Sequence, residues 1–127
     1  TLFPKNPTQV TCFSVDVDTQ QALDLTDEVF DADKALFESK ADYSYCQKIA
    51  ATARQAGIEA ITFRSVRDVR GGGKNTALLT PDAFKGTAPT ATHTWYLLLR
   101  ETGISAASDF PKKSMALSAN ELNDLMI

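Results

Sequence analysis

The sequence holds little from which to build a metal centre or a thiol catalyst: its 127 residues include one histidine, His93, and two cysteines, Cys12 and Cys46. The cysteines lack Cys-x-x-Cys spacing and have no histidine neighbour, so no metal-ligand set is spelled out and no prosthetic cofactor is implied. Both read as small buried hydrophobes, with a single bridge between them left open. Long apolar runs are missing too. Trp95 to Leu99 is strand-sized, against the roughly 18 residues that cross a bilayer, so a membrane span is not expected. The opening TLFPKNPTQ has no basic stretch followed by an apolar core, so no secretory signal is read and a cytoplasmic location is expected. An excess of one charge is also absent: 13 Lys and Arg stand against 16 Asp and Glu, a net charge of -3, which does not favour direct nucleic-acid binding. Useful charge must be local.

What is present fits a single domain, 43% hydrophobic and 23% charged. Residues 8–17 alternate, with Thr11, Phe13, Val15 and Val17 on one face and Val10, Cys12, Ser14 and Asp16 on the other, which predicts a strand. From Asp18 to Lys40 the pattern weakens into a polar connection with a short helix around Ala32 to Ser39. A firmer helix is predicted from Tyr43 to Ala56, where Tyr45, Cys46, Ile49, Ala50, Ala53 and Ala56 line one side. Asp42 is placed to cap it and Gly57 to end it. A strand over Glu59 to Ser65, a loop over Val66 to Asn75 and a short strand over Thr76 to Thr80 follow, closed by Pro81-Asp82. His93 to Arg100 reads as a strand covered on both faces and central in a sheet. Ser118-x-x-Glu121 is a capping-box signature opening a C-terminal helix. Helices and strands mix without strict alternation, so the fold class is α+β.

The most focused electrostatic feature lies between Arg64 and Lys74, where Arg64, Arg67, Arg70 and Lys74 face a single acid, Asp68, around Gly71, Gly72 and Gly73. Backbone N–H groups of a glycine loop approach phosphate oxygens closely and guanidinium groups grip them bidentately, so a phosphate-bearing ligand is the physical inference. The competing reading is a hairpin loop with solvated charges. Neither the Walker pattern nor Gly-x-Gly-x-x-Gly is present, and no Gly-x-Ser-x-Gly elbow supports a serine hydrolase.

The run GIEAITFRSVRD, then GGGKNTALLTPDAF and, further on, HTWYL, resembles the second half of the RES-domain family, NAD-consuming toxins of bacterial toxin–antitoxin systems. Weaker likeness covers Phe13 to Val15 and Ala22 to Thr26, so the resemblance spans about Thr8 to Leu98. It implies a fold similar to ADP-ribosyltransferases, with mixed sheets and flanking helices. The implied reaction is at the nicotinamide–ribose bond of NAD, as an NAD phosphorylase or glycohydrolase or by ADP-ribose transfer. NAD is then a substrate, with inorganic phosphate as co-substrate in some members, and an Xre-type antitoxin is the implied partner; a homo-oligomer is left open.

On this resemblance Ser65 matches the family's serine and is the catalytic residue, with a strand-end hydroxyl bonded to nearby backbone as the alternative. Arg67 and the Gly71, Gly72 and Gly73 backbone would face phosphate. Asn75 would fix the turn or touch ligand. For Arg64, alternation leaves substrate contact and a salt bridge on the far face both open. The family's arginine and glutamate lie upstream of its serine, and neither Glu28 nor Glu38 aligns with that glutamate. The chain is therefore expected to be the C-terminal part of a RES domain, short of about 50 residues at its start, or else a non-catalytic phosphate- or partner-binding module. His93 reads as a core or hydrogen-bonded strand residue, and Phe3 and Phe110 as exposed apolar positions.

Overall fold

The alternating segments at the two ends of the sequence become neighbours in one sheet. The computed structural model describes residues 6–126, so Phe3 lies outside the described residues. The chain divides into two compact units, one made of the segment up to Asp16 with Gly86–Met126 and the other of Val17–Lys85.

In the first unit β1 (Thr8–Ser14), β5 (Ala91–Arg100), β6 (Gly103–Asp109) and β7 (Lys112–Ser118) form an antiparallel sheet of order β1-β5-β6-β7. The predicted central strand is central, between β1 and β6. Its two faces are not both covered: Tyr96 and Leu99 are exposed, while Trp95, Leu97 and Leu98 are half-buried. Strand β1 stops at Ser14, three residues short of the predicted end; Val17 already belongs to the second unit, within which it bridges Phe84. Cys12 is exposed, contrary to the buried reading, since β1 is an edge strand with β5 as its one neighbour in the sheet. Cys46 is half-buried, its thiol donating to the Phe37 carbonyl at 3.3 Å, and both cysteines are free thiols. His93 is half-buried, with Nδ1 3.1 Å from the Phe110 carbonyl, while the Phe110 side chain is 88% exposed. Helix α3 (Ala119–Met126) opens on the predicted capping box: Ser118 N–H donates to Glu121 Oε2 at 2.7 Å and Glu121 N–H to Ser118 Oγ at 3.2 Å.

The second unit is built on a three-stranded sheet of order β2-β3-β4, from Ala22–Asp24, Ala60–Arg64 and Lys74–Leu78. Strand β2 runs parallel to β3, and β4 antiparallel to it. The polar connection thus conceals a strand. Three residues are too few to show a period, and β2 exists because β3 offers its backbone a ladder. The connection continues as a 3-10 turn over Glu28–Asp33 and α1 (Lys34–Phe37), close to the predicted short helix. Strand β4 begins two residues earlier than the composition indicates, because Lys74 and Asn75 pair with Arg64 and Phe63, and Thr80 leaves the strand to cap the Pro81–Ala83 turn.

Helix α2 (Ser44–Gln55) agrees with its periodicity within a residue at each end. Asp42 Oδ1 accepts the Ser44 N–H at 2.9 Å. At the other end Gly57 takes φ +77°, and the Ile58 N–H returns to the Ala53 carbonyl at 2.9 Å, the six-to-one bond of a Schellman stop. The buried residues of this unit are Ala53, Ala60, Ile61 and Ala83. On the helical side Phe37 packs edge-on against Phe30 (6.0 Å) and obliquely against Tyr45 (5.3 Å). Together the units make an α+β fold, the class expected from the sequence. No described helix is long and apolar enough to cross a membrane.

Candidate functional site

Strand β3 sets where the predicted site residues go. Its register with β2 and β4 puts Asp24, Thr62, Arg64, Lys74 and Thr76 on one face and Leu23, Ile61, Phe63, Asn75 and Ala77 on the other. The first face is polar, with Thr62 and Thr76 hydroxyls 3.2 Å apart. Alternation continued one residue past the strand carries Ser65 to the side of Phe63 and Asn75. Arg64 and Ser65, adjacent in sequence, therefore serve opposite faces.

Arg64 Nε lies 3.5 Å from Glu38 Oε1, a salt bridge whose side chains are 41% and 26% exposed. At that exposure the pair is worth at most about 1 kcal/mol. Of the two readings open for Arg64, the salt bridge is the one seen in this structure: the guanidinium lies against a carboxylate. Arg64 and Glu38 also border a cavity of about 20 Å³ with Phe30, Phe37 and Phe63, which is room for one water and not for a nucleotide.

Asp24 Oδ1 accepts both the Thr26 hydroxyl (2.6 Å) and the Thr26 N–H (2.9 Å). Those hydrogen bonds, with smaller attractions from Lys74 and Arg64, hold its carboxyl below the usual carboxylate range. Asp42 is lowered the same way, first by hydrogen bonding from Ser44 and less by Lys48. A carboxyl whose folded pKa is depressed contributes its full stability above the unfolded value and loses it as pH falls through the folded value. Asp24→Asn is therefore expected to flatten the acid limb of the stability–pH curve while leaving its neutral part parallel to wild type. Carbonyl-detected NMR titration of Asp24 in the folded protein checks the sign; a pKa at or above the ordinary range would contradict it.

The loop after β3 is closed from within. The Ser65 N–H donates to the Gly73 carbonyl at 2.8 Å, extending the β3–β4 ladder by one rung beyond Arg64 and Lys74. Asp68 then organises what lies between. Its Oδ2 accepts the Gly73 N–H at 2.8 Å and its Oδ1 the Arg70 N–H at 3.0 Å, while its carbonyl accepts the Gly71 N–H at 3.1 Å. The three glycines serve two purposes. Gly71 (φ +74°) and Gly72 (φ +83°) take consecutive left-handed conformations, which side chains rarely adopt. Gly73 is not left-handed; a Cβ there would lie 2.6 Å from Asp68 Oδ2.

Arg67 ties the loop to the start of α2: its Nη2 donates to the Tyr43 hydroxyl at 3.1 Å and to the Lys40 carbonyl at 3.3 Å, and the Tyr43 hydroxyl donates to the same carbonyl at 2.9 Å. Ser65 is half-buried, while Arg67, Gly71, Gly72 and Asn75 are exposed. The fold thus brings Ser65, Gly73 and Asp68 into one hydrogen-bonded arrangement with Arg67 at its base, and sends Arg64 to the other face. Lys40 and Tyr43 are partners that reading the sequence did not single out, while Asp68 was noted there only as the loop's one acid and Glu38 only as an acid that aligns with no family position. For Asp68 a signal existed: an aspartate three residues before Gly71 is a turn former that bonds its own backbone further on. Among the described residues no three His, Cys, Asp or Glu side chains converge as a metal site.

Fold and site define an α+β protein in which an internally braced, basic glycine loop presents a strand-end serine. The chain belongs to the RES domain family, a toxin-associated domain, whose family model matches residues 1–99. The match ends within β5, so β6, β7 and α3 lie beyond it. No curated protein matches the chain.

Proposed function

We propose that this chain is an NAD-consuming toxin domain that breaks the bond between nicotinamide and ribose. The observation that carries the reading is the RES match over residues 1–99, within which Ser65 stands at the mouth of the basic loop. In the reaction the C1′–N bond of the nicotinamide ribose breaks, its electron pair leaves with neutral nicotinamide, and an acceptor oxygen from phosphate, water or a protein bonds C1′. Positive charge develops on the ribose, so catalysis is chiefly positioning and electrostatics. The Ser65 hydroxyl orients the ribose, and the charge of Arg67 and the exposed Gly71 and Gly72 backbone attract pyrophosphate. An Xre-type antitoxin is the partner that holds such a toxin in check.

The test is incubation of the full chain with NAD, with and without inorganic phosphate, followed by chromatography of the products. Nicotinamide release is expected, faster with phosphate if phosphate is the acceptor. The absence of both nicotinamide release and transferred ADP-ribose would overturn the reading.

A second reading, a binding module without turnover, is favoured by one observation: Glu38, an acid upstream of Ser65, is held in an ion pair with Arg64, whose side chain lies on the opposite face of β3 from Ser65. Calorimetry separates the two, since this reading requires NAD or ADP-ribose to bind without nicotinamide release.

A further inference from the structure

Ser65 carries its hydroxyl on a residue just past the end of β3, on the last rung of the β3–β4 ladder. One backbone bond holds it, from its N–H to the Gly73 carbonyl. That carbonyl is in turn placed by the carboxylate of Asp68, which takes the Gly73 N–H on one oxygen and the Arg70 N–H on the other. A carboxylate suits this task because it accepts on both oxygens; an amide offers one acceptor and would set an NH2 against an N–H donor. The close approach has a steric signature as well. Gly73 does not need to be glycine for its backbone, yet a Cβ would lie 2.6 Å from Asp68 Oδ2.

We infer that Asp68 is the positioning residue for Ser65: by clamping Gly73 it holds the serine at the end of β3 in the orientation used on the nicotinamide ribose. The inference rests on the NAD-cleaving reading for its catalytic half, while the clamp itself is independent of that reading. Asp68 does not touch substrate. It acts through Gly73, so its loss misplaces the hydroxyl without removing it, and misplacement of about 1 Å is enough to cost about a hundredfold in rate.

Four variants of the full chain test this, with two readouts. The first readout is hydrogen exchange at the Ser65 amide. Asp68→Ala is expected to accelerate it by about tenfold or more, Asp68→Asn by less, because one acceptor remains. Gly73→Ala, which pushes the carboxylate away, should match Asp68→Ala, and the double variant should be no worse than either single one. The second readout is steady-state NAD cleavage. Here kcat should fall in the same order, by about tenfold to a hundredfold for Asp68→Ala, with KM changing far less. Partial recovery in Asp68→Asn separates positioning from a general loss of folding, which both readouts and the far-ultraviolet spectrum would report together.

Unchanged exchange at Ser65 in Asp68→Ala overturns the clamp. Faster exchange with wild-type kcat overturns the positioning role, and so does a loss of kcat/KM that comes only from a raised KM. A wild-type chain that releases no nicotinamide sinks the NAD-cleaving reading instead, and the exchange data still decide whether Asp68 holds the serine.

Discussion

Ser65→Ala is expected to lower nicotinamide release by about a hundredfold or more, the usual cost of deleting one preorganised group at a reacting centre, without unfolding the protein. The structure makes this a clean experiment. The bond that fixes residue 65 runs from its backbone N–H to the Gly73 carbonyl, and alanine keeps it. The unfolding free energy should therefore change by no more than about 0.5 kcal/mol, the range of substitutions that touch no packing or buried bond. A rate equal to wild type would remove Ser65 from the mechanism. A large loss of stability would show instead that its hydroxyl is structural, the alternative its strand-end position leaves open from sequence.

Gly103→Ala is expected to be the most damaging single methyl in the chain. Gly103 opens β6 with φ +145°, is buried, and pairs with Arg100 on one side and Ser118 on the other. A Cβ there would run into the Leu117 carbonyl and lie 2.9 Å from Ser118 Cα. Both obstacles are backbone, so nothing flexible can move aside. Backbone strain at a conformation reserved for glycine and overpacking against a neighbouring strand each cost about 1 to 3 kcal/mol. The sum, about 3 kcal/mol or more, is a large part of the stability of a small protein. Urea unfolding checks it, and a midpoint indistinguishable from wild type would mean that the β6–β7 pairing relaxes far more readily than its geometry indicates. Because β6 links β5 to β7, the loss should spread through the four-stranded sheet rather than stay at the turn.

The residues behind these two expectations were unequally legible. Helix α2 and its glycine stop, β3, β5 and the Ser118–Glu121 box follow from local rules, since period, capping and turn chemistry act over a few residues and are written in order along the chain. The basic glycine loop follows from local charge and composition, whereas Ser65 was singled out by resemblance, and the RES match over residues 1–99 agrees with that resemblance. Gly103 drew no notice as a sequence feature, because a single glycine after Glu101 and Thr102 has no local signature; its constraint comes from Leu117 and Ser118, strand neighbours on β7. Strand β2 and the early start of β4 are of the same kind, elements created by a partner strand.

What the sequence by itself determined is the α+β class, the main elements, the basic character of the 64–74 loop and the family to which it belongs. Tertiary structure alone decided how that basic character is spent. It paired Arg64 with Glu38, anchored Arg67 on Tyr43 and Lys40, and turned Asp68 inward to hold Gly73. Charges written along a chain state only a local excess. Which of them meets a carboxylate, a carbonyl or solvent depends on strand register and on segments brought alongside from far away in sequence, as the Arg67 contacts with the α1–α2 connection, 24 and 27 residues distant, show.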